Sequence, residues 1–342
     1  MITRKVDKSD HLAGFIYNWV KKIGQQIDEL RVISWQQGDS SGLPENIKVT
    51  HLKTNQNKLV KLINFKKAVW KNLKQVDGLF CHQMPEYTLV AGPMAKILRK
   101  KVVTWYAHGS VTFKLKLVEK IANTIVSSSK KGFRLDSKKL VITGQGIDIQ
   151  SFAPDPDQNK SDELQLITVG RISPTKDYES MIKAVDVLVD NGLTNLKLKI
   201  IGEAGLGSQA NYFENLKEMV EKMNLQDKVS FLGAIPNIEI PKYLKQSDIF
   251  LNFSATGSLD KAILEAMSCG CVPFTCNEAF KEILPPELIV KKDDPKMLAE
   301  KIKWLKNLPE EEISKLKENL RQEIVKNHNL DNLVKKIVEQ FK

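Results

Sequence analysis

The chain has 342 residues, 42% of them hydrophobic and 27% charged, a balance that suits a soluble globular protein with two α/β domains of roughly 150 residues each. No apolar run approaches the ~20 residues of a membrane-spanning helix, and the first residues lack the apolar core of a signal peptide, so the expected location is the cytoplasm. The net charge of +11 is lopsided: residues 1–153 carry +15 and residues 154–342 carry −4, which directs any attraction for anionic lipids, nucleic acid or acidic glycans to the first half. A merely solvated, lysine-rich surface is the plainer alternative.

In chain order, apolar runs bounded by turn signals predict strands near Ile2–Val6, Glu29–Ser34, Gly78–Cys81, Val102–Tyr106, Thr124–Ser127 and Leu140–Thr143, with amphipathic helices between most of them. Short, mostly apolar strands alternating with helices predict a parallel sheet wound on both faces, a Rossmann-like unit. The first strand starts almost at Met1, as in a chain with a late start. Gly14, where that strand hands over to its helix, is a candidate for close approach of backbone to a phosphate. The stretch Lys58–Lys74 interleaves Leu59, Ile63, Trp70 and other apolar residues with six lysines; it fits an anionic membrane surface or, as readily, packing against the sheet. His108 follows the strand ending at Tyr106 and is a candidate for contact with a substrate hydroxyl, or an ordinary structural histidine.

A proline-rich polar stretch, residues 153–162, reads as the linker to a second unit. There the pattern predicts a strand at Leu164–Val169, a helix at Tyr178–Asn191, a strand at Lys197–Ile201 and a helix at Tyr212–Met223. Strands at Val229–Leu232 and Ile249–Phe253, a helix at Lys261–Ser268 and a strand at Cys271–Thr275 follow. Charged helices from Pro295 to Phe341 close the chain. Two such units predict a cleft, with domains at 1–153 and 154–325 and a last helix over 326–342.

The chemistry concentrates in the second unit. Gly170-Arg171-Ile172-Ser173-Pro174-Thr175-Lys176 puts a guanidinium and an ammonium just past a strand's carboxyl end, where open α/β sheets bind ligands and helix N-termini attract anions. Such a pair can neutralise a departing pyrophosphate, although a solvated loop with two cations would read the same way. Glu265 stands in an otherwise apolar helical stretch, where its two oxygens suit the hydroxyls of a ribose; a residue facing water is the alternative. Before it, Thr256, Gly257, Ser258, Leu259, Asp260 and Lys261 form a turn in which Ser258 or Asp260 can cap the helix and leave N–H groups for a phosphate or sugar oxygen. Cys81, Cys269, Cys271 and Cys276 make no CxxC pair and have no histidine beside the last three, so structural thiols are expected and no metal site is read.

These motifs together with Val229-Ser230-Phe231-Leu232-Gly233, Ser247-Asp248-Ile249-Phe250-Leu251-Asn252 and Leu264-Glu265-Ala266-Met267-Ser268-Cys269-Gly270 resemble the donor-binding half of family 4 glycosyltransferases, most strongly over 164–285. Tyr106-Ala107-His108-Gly109 and Gly144-Gln145-Gly146-Ile147-Asp148 add matches in the first half. The resemblance implies the GT-B fold, two Rossmann-like domains facing a cleft with a C-terminal helix crossing back. It also implies a retaining transfer from a nucleoside-diphosphate sugar, a co-substrate rather than a cofactor, with no divalent metal. On the same footing, Arg171 and Lys176 would hold the pyrophosphate, Glu265 the ribose, and the backbone at Gly233, Ala234 and Ile235 the base. Gly170, Gly202 and the Gly257–Lys261 turn would complete the donor site, with His108 facing the transferred sugar. The acceptor would be a glycan or lipid-linked glycan, with the protein peripheral on the cytoplasmic face of a membrane and no nucleic acid as partner.

Two departures stand out. The glutamate that such enzymes usually carry eight positions before Glu265 is Gly257 here, and Asp260 is the candidate substitute for its contact with the donor sugar. The usual pair of N-terminal glycines is reduced to Gly14. A catalytically silent sugar-nucleotide-binding partner is therefore the rival reading. A nicotinamide dehydrogenase ranks behind both, because no GxGxxG follows the first strand.

Overall fold

The computed structural model describes residues 1–53, 57–156 and 161–342 and divides into two units. Residues 157–160 of the expected linker lie outside the described residues. The first unit comprises Met1–Asp148, Pro236–Ile238 and Asn327–Lys342, and the second Ile149–Ile235 and Glu239–Lys326.

The first unit runs β1 (Ile2–Lys5), α1 (Phe15–Gly24), β2 (Leu30–Gln36), β3 (Ile47–His51), α2 (Lys58–Leu73), β4 (Gly78–His82), α3 (Pro85–Ile97), β5 (Lys101–Trp105), α4 (Phe113–Ile121), β6 (Thr124–Ser127) and β7 (Leu140–Ile142). All strands pair in parallel, in the order β3-β2-β1-β4-β5-β6-β7. Successive strand residues point to opposite faces, and both faces are covered. Val32 and Val103 pack with Ile16, Trp19 and Val20 of α1, while their neighbours Ile33 and Val102 pack with Phe65 and Val69 of α2 and Tyr87 and Ala91 of α3. Burying an aliphatic or phenylalanine side chain of this kind contributes roughly 1.5–3 kcal/mol relative to exposure. Leu330, Leu333, Val334 and Ile337 of the last helix join the α1 cluster.

The second unit runs β8 (Leu164–Val169), α5 (Tyr178–Asp190), β9 (Leu196–Ile201), α6 (Ser208–Lys222), β10 (Val229–Gly233), α7 (Ile240–Lys245), β11 (Ile249–Asn252), α8 (Lys261–Ser268), β12 (Val272–Thr275), α9 (Pro295–Lys306) and α10 (Glu310–Glu323). The chain then rejoins the first unit with α11 (Leu330–Glu339). Its five parallel strands are ordered β10-β9-β8-β11-β12, so the winding reverses between β8 and β11. In open α/β sheets ligands bind at such a switch point, here beyond the carboxyl ends of β8 and β11, the two places where the sequence puts its charged loops.

Two elements escaped the sequence reading. Among the described residues β3 pairs only with β2, and it alternates buried with wetter residues, so it carries no continuous apolar run. α7 is six residues long with Pro241 in its first turn, too short for a helical period to register. Among the described residues no helix is long and apolar enough to cross a membrane.

Candidate functional site

The first charged loop leaves β8 at Gly170 and tightens into a single 3-10 turn over Pro174–Lys176. Its shape is set by backbone stitching across three strand ends. The Gly170 N–H donates to the Ile201 carbonyl at 2.9 Å, and the Gly202 N–H to the Gly233 carbonyl at 2.8 Å. Gly202 has φ +148°, and a Cβ there would stand 1.9 Å from the Gly170 oxygen, so no other residue fits between these strands. Packing of the loop therefore accounts for Gly202, expected from the resemblance among the donor contacts. The buried Tyr178 hydroxyl donates to the Gly170 carbonyl at 2.9 Å, a strut that the sequence reading missed. Burial pushes that phenol well above its usual range, and Asp260 adds to the shift.

The second loop leaves β11 at Asn252. Gly257 has φ +68°, the left-handed region that glycine enters without steric cost. The missing acid thus coincides with a backbone conformation that a glutamate would adopt only under strain. Gly257→Glu is expected to lower unfolding free energy by about 1–2 kcal/mol, read from urea unfolding, without a gain in sugar transfer. The Asn277 side-chain amide donates to the Ser258 carbonyl at 2.8 Å, and Leu259 is buried, so the turn is pinned from below.

Asp260 joins the two loops. One of its oxygens accepts from the Ala262 N–H at 3.2 Å and caps α8, which selects Asp260 over Ser258 as the cap. The other accepts from the Lys176 ammonium at 2.7 Å and from the Asn252 amide at 2.9 Å. Burial alone would raise this carboxyl, but the charge and hydrogen bond of Lys176, with Asn252 and the Ala262 N–H, hold it below the usual carboxylate range. Three of its roughly four acceptor sites are engaged, so its principal partner is the lysine. Arg171 is exposed beside this pair in sequence.

Glu265 does not face water: its side chain is about 5% exposed, one turn along α8 from Lys261, whose ammonium lies 3.9 Å away. Ser254, just past β11, is also buried, and its hydroxyl oxygen has no hydrogen-bond partner among the described residues. Beyond β10, Ala234 is exposed and Ile235 buried. Among the described residues no cluster of three histidine, cysteine or acidic side chains could hold a metal ion. All four cysteines are free thiols, and burial pushes Cys81 and Cys269 up to about 12.

His108 and Gly14 belong to the first unit. His108 is exposed on the loop after β5; its Nδ1 accepts from the Ser110 N–H at 3.2 Å, which leaves Nε2 to carry the proton in the neutral ring. The Tyr106 hydroxyl closes that loop by donating to the Ser110 carbonyl at 2.8 Å. Gly14 has an ordinary helical φ of −55°, and a Cβ there would meet the Asp10 carbonyl oxygen at 2.4 Å and Asn237 at 3.0 Å. Close packing within its own unit explains this glycine.

Residues 151–327, just over half of the chain, match the family described as Glycosyl transferases group 1. An Escherichia coli protein named as a candidate colanic acid biosynthesis glycosyltransferase is 24% identical over 202 residues, covering 56% of this chain and 48% of that protein. A phosphatidylinositol N-acetylglucosaminyltransferase component from Arabidopsis thaliana is 27% identical over 169 residues, 49% of this chain and 35% of the relative. The chain thus spans about half or less of the length of these curated relatives. Among solved structures, that of Anabaena HepE in complex with UDP and glucose superposes with a TM-score of 0.78 and 16% identity, over 99% of this chain and 98% of the other. At that identity the likeness speaks for the fold alone, two Rossmann-like units of the GT-B kind.

Proposed function

Since the chain belongs to the group 1 glycosyl transferases, we propose that it moves a sugar from a nucleoside-diphosphate-sugar donor to a hydroxyl of a glycan or lipid-linked acceptor, with retained anomeric configuration. The observation that carries this reading is the Lys176 ammonium, held by Asp260 at the point where the sheet of the second unit reverses its winding. Ligands of open α/β sheets lie at that place, and a departing diphosphate needs positive charge there.

In this proposal Arg171 and Lys176 face the diphosphate, Glu265 accepts from the ribose hydroxyls, and the backbone from Gly233 to Ile235 meets the base. His108 would contact the transferred sugar. The bond from the sugar's anomeric carbon to the diphosphate oxygen breaks as a bond to the acceptor oxygen forms on the same face. The acceptor proton passes to the departing phosphate oxygen, so atoms and charge balance without a protein nucleophile. Side chains and helix dipoles meet the developing charge, and the reading assigns no step to a divalent metal or cofactor. A lipid-linked acceptor would place the protein on the cytoplasmic face of a membrane.

The left-handed backbone at Gly257 favours a second reading, a silent sugar-nucleotide-binding partner of another transferase, because it removes the acid that usually reaches the donor sugar. A panel of UDP- and GDP-sugars separates the two. The enzyme reading expects a specific thermal shift with one donor, followed by transfer or slow hydrolysis of that donor. Binding without turnover on any acceptor, and without donor hydrolysis, would leave only the second reading.

A further inference from the structure

We propose that the solvent face of α2 is a docking surface for an anionic lipid bilayer. α2 has two apolar stripes where one would suffice for folding. Phe65, Val69 and Leu73, at i, i+4 and i+8, are buried in the core. Around the helix from them, Leu59, Ile63 and Trp70 fall at i, i+4 and i+11, also one line along a helix, and are 65%, 45% and 37% exposed. Val60, 45% exposed, is turned about 100° around the helix from Leu59, onto the flank of Lys67 and Lys71.

Lysines frame the outer stripe. Helical spacing puts Lys66 on one flank and Lys67, Lys71 and Lys74 on the other, all exposed, and no acidic residue occurs from Lys58 to Lys74. The Lys74 ammonium sits 5.6 Å from the centre of the Trp70 ring, the pairing of an amphipathic aromatic with a cation that suits the headgroup level of a membrane. A surface depression of about 540 Å³, whose lining includes Lys66, Lys67, Lys71 and Lys74 around Trp70 and Met94, offers several ammonium groups to a lipid phosphate.

The combination selects the occupant. A nucleic acid would satisfy the lysines and leave Leu59 and Ile63 in water. A second copy of the chain would bring two faces of like charge together. An anionic bilayer rewards both sets at once, since the lysines meet lipid phosphates while the leucine, isoleucine and tryptophan enter the acyl boundary. This inference does not depend on the transferase reading, because no donor-site residue enters it.

The test uses the full chain and sedimentation with phosphatidylcholine vesicles, with and without phosphatidylglycerol. Salt-sensitive pelleting with the anionic vesicles alone is expected. Replacing Lys67, Lys71 and Lys74 together by glutamine should cut partitioning on the order of 100-fold, roughly fivefold per lysine. Leu59→Ser, Ile63→Ser and Trp70→Ser combined should cut it at least about tenfold. Both triple variants change exposed side chains, and unchanged thermal melting verifies that they fold. No pelleting at low salt overturns the proposal, as does pelleting that neither variant reduces. Loss with the lysine variant alone, accompanied by equally tight heparin binding, would assign the face to polyanions in general and overturn the lipid.

Discussion

Lys176→Ala is expected to lower kcat/KM for sugar transfer by about 100–1,000-fold, the range found when one preorganised group that stabilises developing charge is removed. Two effects combine. The proposed donor site loses the cation that the departing diphosphate requires, and Asp260 loses the ammonium at 2.7 Å that compensates its burial. Arg171→Ala should cost less, about tenfold, because that guanidinium is exposed and its charge is screened. Lys176→Arg keeps the charge but cannot reproduce the point contact with Asp260, so only partial recovery is expected. Donor hydrolysis and donor-induced thermal shift read these outcomes. Unchanged donor affinity and rate in both alanine variants would remove the pyrophosphate assignment.

Asp260→Ala is expected to destabilise the protein by about 2–3 kcal/mol, since it deletes the α8 cap and strips both Lys176 and Asn252 of their acceptor. Asp260→Asn keeps an oxygen for the cap and should cost about 1 kcal/mol. The asparagine variant also decides what the carboxylate does. As a positioner of Lys176, its loss weakens every donor alike, bare nucleoside diphosphate included. As a contact to the sugar, its loss alters selectivity among sugars and leaves the bare diphosphate unaffected. The pH dependence has a definite sign. Because the folded-state carboxyl is held below its ordinary value near 3.8, its contribution is present above that value and is lost as the pH falls through it towards the lower folded value. Asp260→Asn should flatten that acidic limb of the stability curve, measured by urea unfolding at a series of pH values.

The alternation of strand and helix was legible because parallel strands covered on both faces read as apolar runs, and the charged loops were legible because they follow such runs directly. β3 was not, since it alternates buried with wetter residues and carries no continuous apolar run. Partnerships remote in sequence were not legible either. Nothing in the chain links Lys176 to Asp260, 84 positions later, or Tyr178 to the Gly170 carbonyl; both pairings depend on the winding that sets β8 beside β11 and α5 beneath the loop. The same holds for Gly202, whose absent side chain makes room for a carbonyl on the neighbouring strand. Glycine at 257 could be read as a missing acid from the residues alone, but the reason for it is a dihedral angle.

The last helix completes the first unit, a fact that bears on the order in which the protein is made. Leu330, Leu333, Val334 and Ile337 of α11 belong to the same apolar cluster as Ile16, Trp19 and Val20 of α1. At ordinary synthesis rates roughly 10–40 s separate the emergence of Asp148 from that of Leu330, and through that interval the α1 cluster lacks one wall while the whole second unit is produced. The sheet of the first unit is made before the second unit, yet its α1 cluster is closed only after the second unit has been made, so its folding is tied to synthesis of α11.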